Sequence, residues 1–350
     1  MIDEWKRWKS DNTQIASGMP LPSDDDWVVN WEKAPFRLLA IVNRIDLRGN
    51  PNIRNAGEGR FVFCVTDPTD PQDGNFRPFT VIFEYLQPAT TQSEVRAVAD
   101  EWHKLGAIAA FDQSFIDQLK IVTSKFAGKN AMPGRPNGSA LGQLRTNEIA
   151  LNPTTGGAGW ELREFVLDAG TGVLRPDTAK LTPHNGLNKS PTLDFLIETL
   201  GENAVGTFPA PLIGFRGITG GNANFQWEGV TTPANDTILR RISVNSCSGC
   251  HGGDGRTADV ERFYHVAPRN KTNASDLSVF LTGLRSGATG GITNPATGLS
   301  DPTFSDLKGR QNDFSNLVEP TVTPFSNPAA AAAFVREERD FLQSRSIRVH

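Results

Sequence analysis

The chain has 350 residues, enough for one large domain or two ordinary ones. Hydrophobic residues at 38% and charged residues at 21% are the balance of a globular protein with a core. A net charge of −4 argues against a general binder of nucleic acid or anionic membrane, and no apolar run approaches the ~20 residues that span a bilayer.

Residues 1–35 read as a polar, partly helical arm lying over a larger body, with four tryptophans at Trp5, Trp8, Trp27 and Trp31. The acidic run Asp24-Asp25-Asp26 reads as a solvated turn rather than a calcium site, since no EF-hand spacing follows it. From Phe36 the apolar segments are short, rich in β-branched and aromatic residues, and punctuated by Gly, Pro, Asn and Asp. Strands are expected over Phe36–Ile45, Arg60–Thr66 and Pro78–Tyr85. A helix is expected over Ser93–Ala110, where Val95, Val98, Trp102 and Leu105 share a face and Ser93 caps the start. Leu119–Thr123, Gln143–Leu151 and Trp160–Leu167 complete the strand set. The expected fold class is α+β, with a mixed-sheet domain over residues 36–170. Cys64 lies within an apolar strand and reads as a buried free thiol.

Beyond Leu167 helices and long loops take over, in a region spanning 171–350. Ser190–Leu200 opens Ser-Pro and carries Leu193, Leu196, Ile197 and Leu200 on one face. Asn235–Ser246, Ser275–Leu284 with Ser275 as cap, and the alanine-rich Asn327–Arg345 are the further expected helices.

Between the second and third of these four helices stands Cys247-Ser248-Gly249-Cys250-His251, a C-x-x-C-H. Two thiols at this spacing can each form a thioether to one haem vinyl, and the adjacent imidazole can bind the iron. On a helix the three side chains occupy i, i+3 and i+4, hence one face. With 3 Cys and 5 His in the chain, chance occurrence of the pattern is rare. Two other chemistries use C-x-x-C. One is a redox disulfide, which normally follows a strand in a βαβ unit; the other is half a zinc site, which needs a second pair absent from this sequence.

Through Cys247, Cys250 and His251, residues 235–285 resemble a monohaem c-type cytochrome segment. The chain as a whole resembles secreted bacterial proteins that carry one haem-binding motif. The resemblance implies one covalent haem c held by Cys247 and Cys250, His251 as proximal iron ligand, a cytochrome c-like helical region and a redox partner protein. It also implies a periplasmic or extracellular location, since such haem is attached outside the cytoplasm. The polar start Met1-Ile2-Asp3-Glu4 carries no signal peptide, so the leader is expected to be absent from the chain shown.

No methionine follows the motif; Met1, Met19 and Met132 all precede it, which disfavours a His/Met iron site unless Met132 folds back. His265, 14 residues after His251, is the better candidate for the sixth ligand, against a structural role bonded to backbone. His184 is a weaker loop candidate, and His103, beside Trp102 on a helix, reads as structural. Arg256, Arg262 and Arg269 flank the motif and could pair with haem propionates, against ordinary surface charge. Gly57-Glu58-Gly59-Arg60 lacks the Lys-Ser/Thr of a phosphate loop, and Glu161 and Glu164 fall on opposite faces of a strand. Three functions stay open: a single-electron carrier, a haem enzyme with an open iron position, and a non-haem binding or surface protein with a Cys247–Cys250 disulfide.

Overall fold

The computed structural model of the chain describes residues 36–48, 55–66, 76–151, 158–168, 170–177, 187–201, 217–219, 233–243, 265–267, 275–284, 292–294 and 299–318. Within them the protein is α+β, built on one antiparallel sheet. Strands β1 (Phe36–Arg44), β2 (Glu58–Thr66) and β3 (Phe76–Leu86) pair in sequence order. Helices α1 (Gln92–Leu105) and α2 (Gln113–Ala127) follow, and then β4 (Leu141–Leu151), β5 (Ala158–Leu167) and β6 (Leu174–Asp177) extend the sheet.

The expected mixed sheet is antiparallel in every described pairing. Two helices in succession carry the chain back to the end of the sheet from which it left. β4 therefore re-enters beside the exit of β3, with Tyr85 opposite Leu141 and the Leu86 amide donating to the Ala140 carbonyl at 2.9 Å.

Helix α1 begins at Thr91 rather than Ser93. The Thr91 hydroxyl accepts from the Glu94 amide, and the Glu94 carboxylate accepts from the Thr91 amide, a reciprocal capping box. The helix stops at Leu105, before Gly106, short of the expected Ala110. The expected strand Leu119–Thr123 is instead the middle of α2. Its apolar residues belong to a longer face that buries Val122, Thr123 and Phe126, and Asp112 caps it from well upstream.

Past β6, helix α3 (Pro191–Leu200) has the expected Ser190 cap, and strand β7 (Gly217–Thr219) adds to β5. Helix α4 (Pro233–Ser243) packs on α3 through Leu193, Ile197, Leu239 and Ile242. Strands β8 (Val266–Ala267) and β9 (Asp276–Leu277) form a hairpin. The expected helix over Ser275–Leu284 reduces to the short α5 (Val279–Thr282), because Ser275 is drawn to β1, where its hydroxyl donates to the Leu39 carbonyl at 3.0 Å. Strands β10 (Ile292–Thr293) and β11 (Ser300–Asp301) form a second hairpin. Helix α6 (Asp306–Val318), not anticipated from the sequence, packs Leu317 and Phe314 against Ile45, Val95 and Ala99. The arm at 1–35 and the helix expected over Asn327–Arg345 lie outside the described residues. Among those residues, no helix is long and apolar enough to cross a membrane.

The two faces of the sheet differ in chemistry. One carries Phe61, Phe63, Phe83 and Tyr85, with Phe126 of α2 laid 5.8 Å from Phe61 and 6.0 Å from Tyr85. Gly59 is required there, since a Cβ at that position would run into the Phe126 ring. The other face carries charge, and β8–β9, α5 and α6 cover it.

Candidate functional site

Alternation along β2 sends Glu58, Arg60, Val62, Cys64 and Thr66 to the covered face, and all five are buried. Strand register places Arg44 opposite Glu58, Arg60 opposite Glu84, and Arg145 opposite Glu164. The result is a diagonal ribbon of alternating charge. Arg60 lies 2.6 Å from Glu58 and 3.2 Å from Glu84, and Arg145 lies 3.5 Å from Glu84 and 3.7 Å from Glu164. At one end Arg44 pairs with Asp46 at 3.0 Å, and Arg310 of α6 pairs with Asp306.

Burial sets the electrostatics and the pairings then sort them. Burial works to raise the Asp46 carboxyl, but the Arg44 guanidinium prevails and holds it well below the usual carboxylate range. Burial likewise opposes ionisation of Glu58, and Arg60 and Arg145 together pull it below its ordinary value. At Glu84 burial wins: its carboxyl is raised despite Arg145 and Arg60, with Glu58 adding like charge. Burial and the nearby Arg44 lower the Arg310 guanidinium to about 10.

Between this ribbon and its cover lies a cavity of about 540 Å³. Val62, Ile82 and Leu162 form its floor with Thr80, Glu84, Arg145 and Asn147; His265, Phe280, Leu281 and Leu307 line the opposite side, and Trp102 of α1 also borders it. Four buried polar atoms from these walls make no hydrogen bond: Thr80 Oγ1, Glu84 Oε1, Arg145 Nε and Asn147 Oδ1. Buried polar atoms are nearly always hydrogen-bonded, so four on two adjacent strands is a concentrated departure. Chemically they present donors and acceptors together in an otherwise apolar chamber.

Of the residues singled out from sequence, His265 belongs to this site. Its Nδ1 is 2.9 Å from the Ser278 hydroxyl, its ring centroid is 5.3 Å from that of Phe280, and its carbonyl accepts from the Ser278 amide at 3.0 Å. Cys247, Cys250, His251, Arg256, Arg262, Arg269 and His184 lie outside the described residues. His103 packs against Phe314 at 6.3 Å between ring centroids, in keeping with a structural role. Met132 sits in the loop after α2, its amide donating to the Gly138 carbonyl at 3.0 Å. Cys64 is a buried free thiol, raised by burial to about 11. Among the described residues no cluster of three or more His, Cys, Asp or Glu could hold a metal ion.

Sequence reasoning missed the charged ribbon. The signal was there: Arg44 and Asp46, then Glu58 and Arg60, stand two apart at the ends of segments that read as strand, and Glu164 interrupts another. In the sequence Glu58 and Arg60 suggest at most an incomplete phosphate loop and Glu164 half of a carboxylate pair; in the fold Glu164 meets Arg145. No protein-family model, curated protein or solved structure matches the chain.

Proposed function

We infer that the chain is a c-type haem protein that passes single electrons to or from a partner protein outside the cytoplasm. The observation that carries the reading is Cys247-Ser248-Gly249-Cys250-His251. Cys247 and Cys250 would hold the porphyrin covalently and His251 would bind the iron. Arg256, Arg262 and Arg269 would meet the propionates as bidentate partners. Once bound, the group supplies a one-electron iron couple.

Among the described residues, the fit to such a group rests on His265. The imidazoles that bind metals are commonly oriented by a hydrogen bond at the other ring nitrogen. Ser278 supplies such a contact at Nδ1. The adjoining Phe280 and Leu281 offer the apolar surroundings that a porphyrin requires.

Expression with a c-type haem maturation system tests the reading. Haem is expected to stay with the denatured polypeptide through acid–acetone extraction and to give a pyridine haemochrome spectrum. A Cys247→Ala, Cys250→Ala double variant should lose it. A colourless parent protein overturns the proposal. In the haem-loaded protein, His265→Ala should convert a low-spin spectrum to high-spin and admit carbon monoxide to the reduced iron; an unchanged spectrum removes His265 as ligand.

A further inference from the structure

The cavity beneath β8–β9, α5 and α6 has features that holding the sheet together does not require. Its volume of about 540 Å³ falls within the range of small-molecule sites. Each charged side chain of the ionic ribbon around it already faces one of opposite sign, since Arg44 faces Asp46, Arg60 faces Glu58 and Glu84, Arg145 faces Glu84 and Glu164, and Arg310 faces Asp306. A charged occupant would find no unmatched counter-charge and would lose its hydration on entry.

The atoms without a hydrogen bond define what the occupant can offer. Thr80 is 1% exposed and Arg145 4%, so bulk water does not bathe them. Arg145 Nε, 3.7 Å from Glu164 in an ion pair without a hydrogen bond, can donate to an acceptor; Asn147 Oδ1 accepts and requires a donor; Thr80 Oγ1 can do either. Thr80 and Asn147 are opposite one another in the β3–β4 register, and Arg145 is two residues along from Asn147 on the same face. A single head group that both donates and accepts can reach these atoms together. Around them Val62, Ile82, Leu162, Phe280, Leu281 and Leu307 give an apolar wall for the rest of the molecule.

We propose that this cavity is a binding site for a neutral amphipathic small molecule, with a hydroxyl- or amide-type head against Thr80, Arg145 and Asn147 and an apolar body against Phe280, Leu281 and Leu307. The site stands on side chains of the sheet and its cover, and it shares Phe280 and Leu281 with the surroundings assigned above to a porphyrin, so the two occupants exclude one another there.

Three probes with one apolar body and different heads test it by calorimetric titration of the intact protein: 4-phenylbutyramide, 4-phenylbutyrate and 4-phenylbutylamine. The amide is expected to bind, with the carboxylate and the ammonium each at least about tenfold weaker. Thr80→Val and Asn147→Leu should each weaken the amide by roughly tenfold, the order expected for a lost hydrogen bond with its partner left unsatisfied. Leu307→Trp leaves the polar atoms in place and fills the chamber from α6; it should abolish binding with the circular dichroism spectrum unchanged, which keeps the test open if either polar variant fails to fold. Three results overturn the proposal. The first is no binding of any probe, which leaves the cavity to ordered water. The second is equal binding of the charged probes, or affinities untouched by all three substitutions. The third is a bound haem spectrum that changes in Asn147→Leu, which assigns the chamber to the cofactor.

Discussion

Glu84 occupies the centre of the buried ribbon, between two guanidinium groups and still raised in pKa by its burial. A carboxyl with a higher pKa folded than unfolded holds its proton more tightly in the native state. Its contribution to stability is therefore fully present below the ordinary carboxylate value of about 4.3 and is lost as pH rises through the raised value. Asp46 runs the other way: held low by Arg44, it supports the fold above the ordinary value and withdraws that support as pH falls through its lowered one. Glu84→Gln removes only the first dependence. The melting temperature of that variant relative to the parent should become more favourable between pH 4 and pH 8. A difference that is flat or falls with pH would show that Glu84 is ionised in the folded protein as readily as in the unfolded one. This chemistry was half legible in the sequence. Charged residues spaced two apart in apolar strands announce a polar stripe, but only strand register says that Arg60 meets Glu84 and Arg145 meets Glu164.

Elements with local causes could be read directly, and those with distant causes could not. The strands Phe36–Arg44 and Glu58–Thr66 carry their own β-branched and aromatic patterning, and Ser190-Pro191 announces α3. Leu119–Thr123 misled because four of its five residues are apolar or β-branched and fit strand and helix alike. Only the whole fifteen-residue amphipathic stretch from its Asp112 cap settles α2. Ser275–Leu284 misled for another reason: β9 forms by pairing with β8 and by docking Ser275 on β1, neither visible within the segment. The start of α1 is a local feature that can be tested. Thr91→Ala removes the side-chain acceptor of the Glu94 amide and half of a reciprocal cap, so it should cost about 1 kcal/mol in urea unfolding. Ser93→Ala should cost far less, because Ser93 lies inside the helix rather than at its cap.

At the scale of the molecule, the cover over the charged face arrives from the far end of the chain. Arg48, just after β1, donates to Asp313 of α6 through both terminal nitrogens, at 2.5 and 2.9 Å, across 265 positions of sequence. Nothing in the local pattern of either segment foretells that pairing, which is why α6 and the chamber beneath it escaped the sequence. The two side chains are 7% and 8% exposed, so water cannot replace a missing partner. Breaking a buried pair from one side leaves a desolvated charge, typically a loss of 3 kcal/mol or more. The exposed pair Lys120–Asp117, 3.8 Å apart and 71% and 60% exposed, is the contrast within the same molecule. Asp313→Ala should lower unfolding stability by about 3 kcal/mol, whereas Lys120→Ala should change it by less than about 0.5 kcal/mol. The loss in Asp313→Ala should also persist in high salt, because ions in solution do not reach a buried pair. If the two variants unfold at the same denaturant concentration, Arg48 and Asp313 do not fasten the end of the described chain to its beginning.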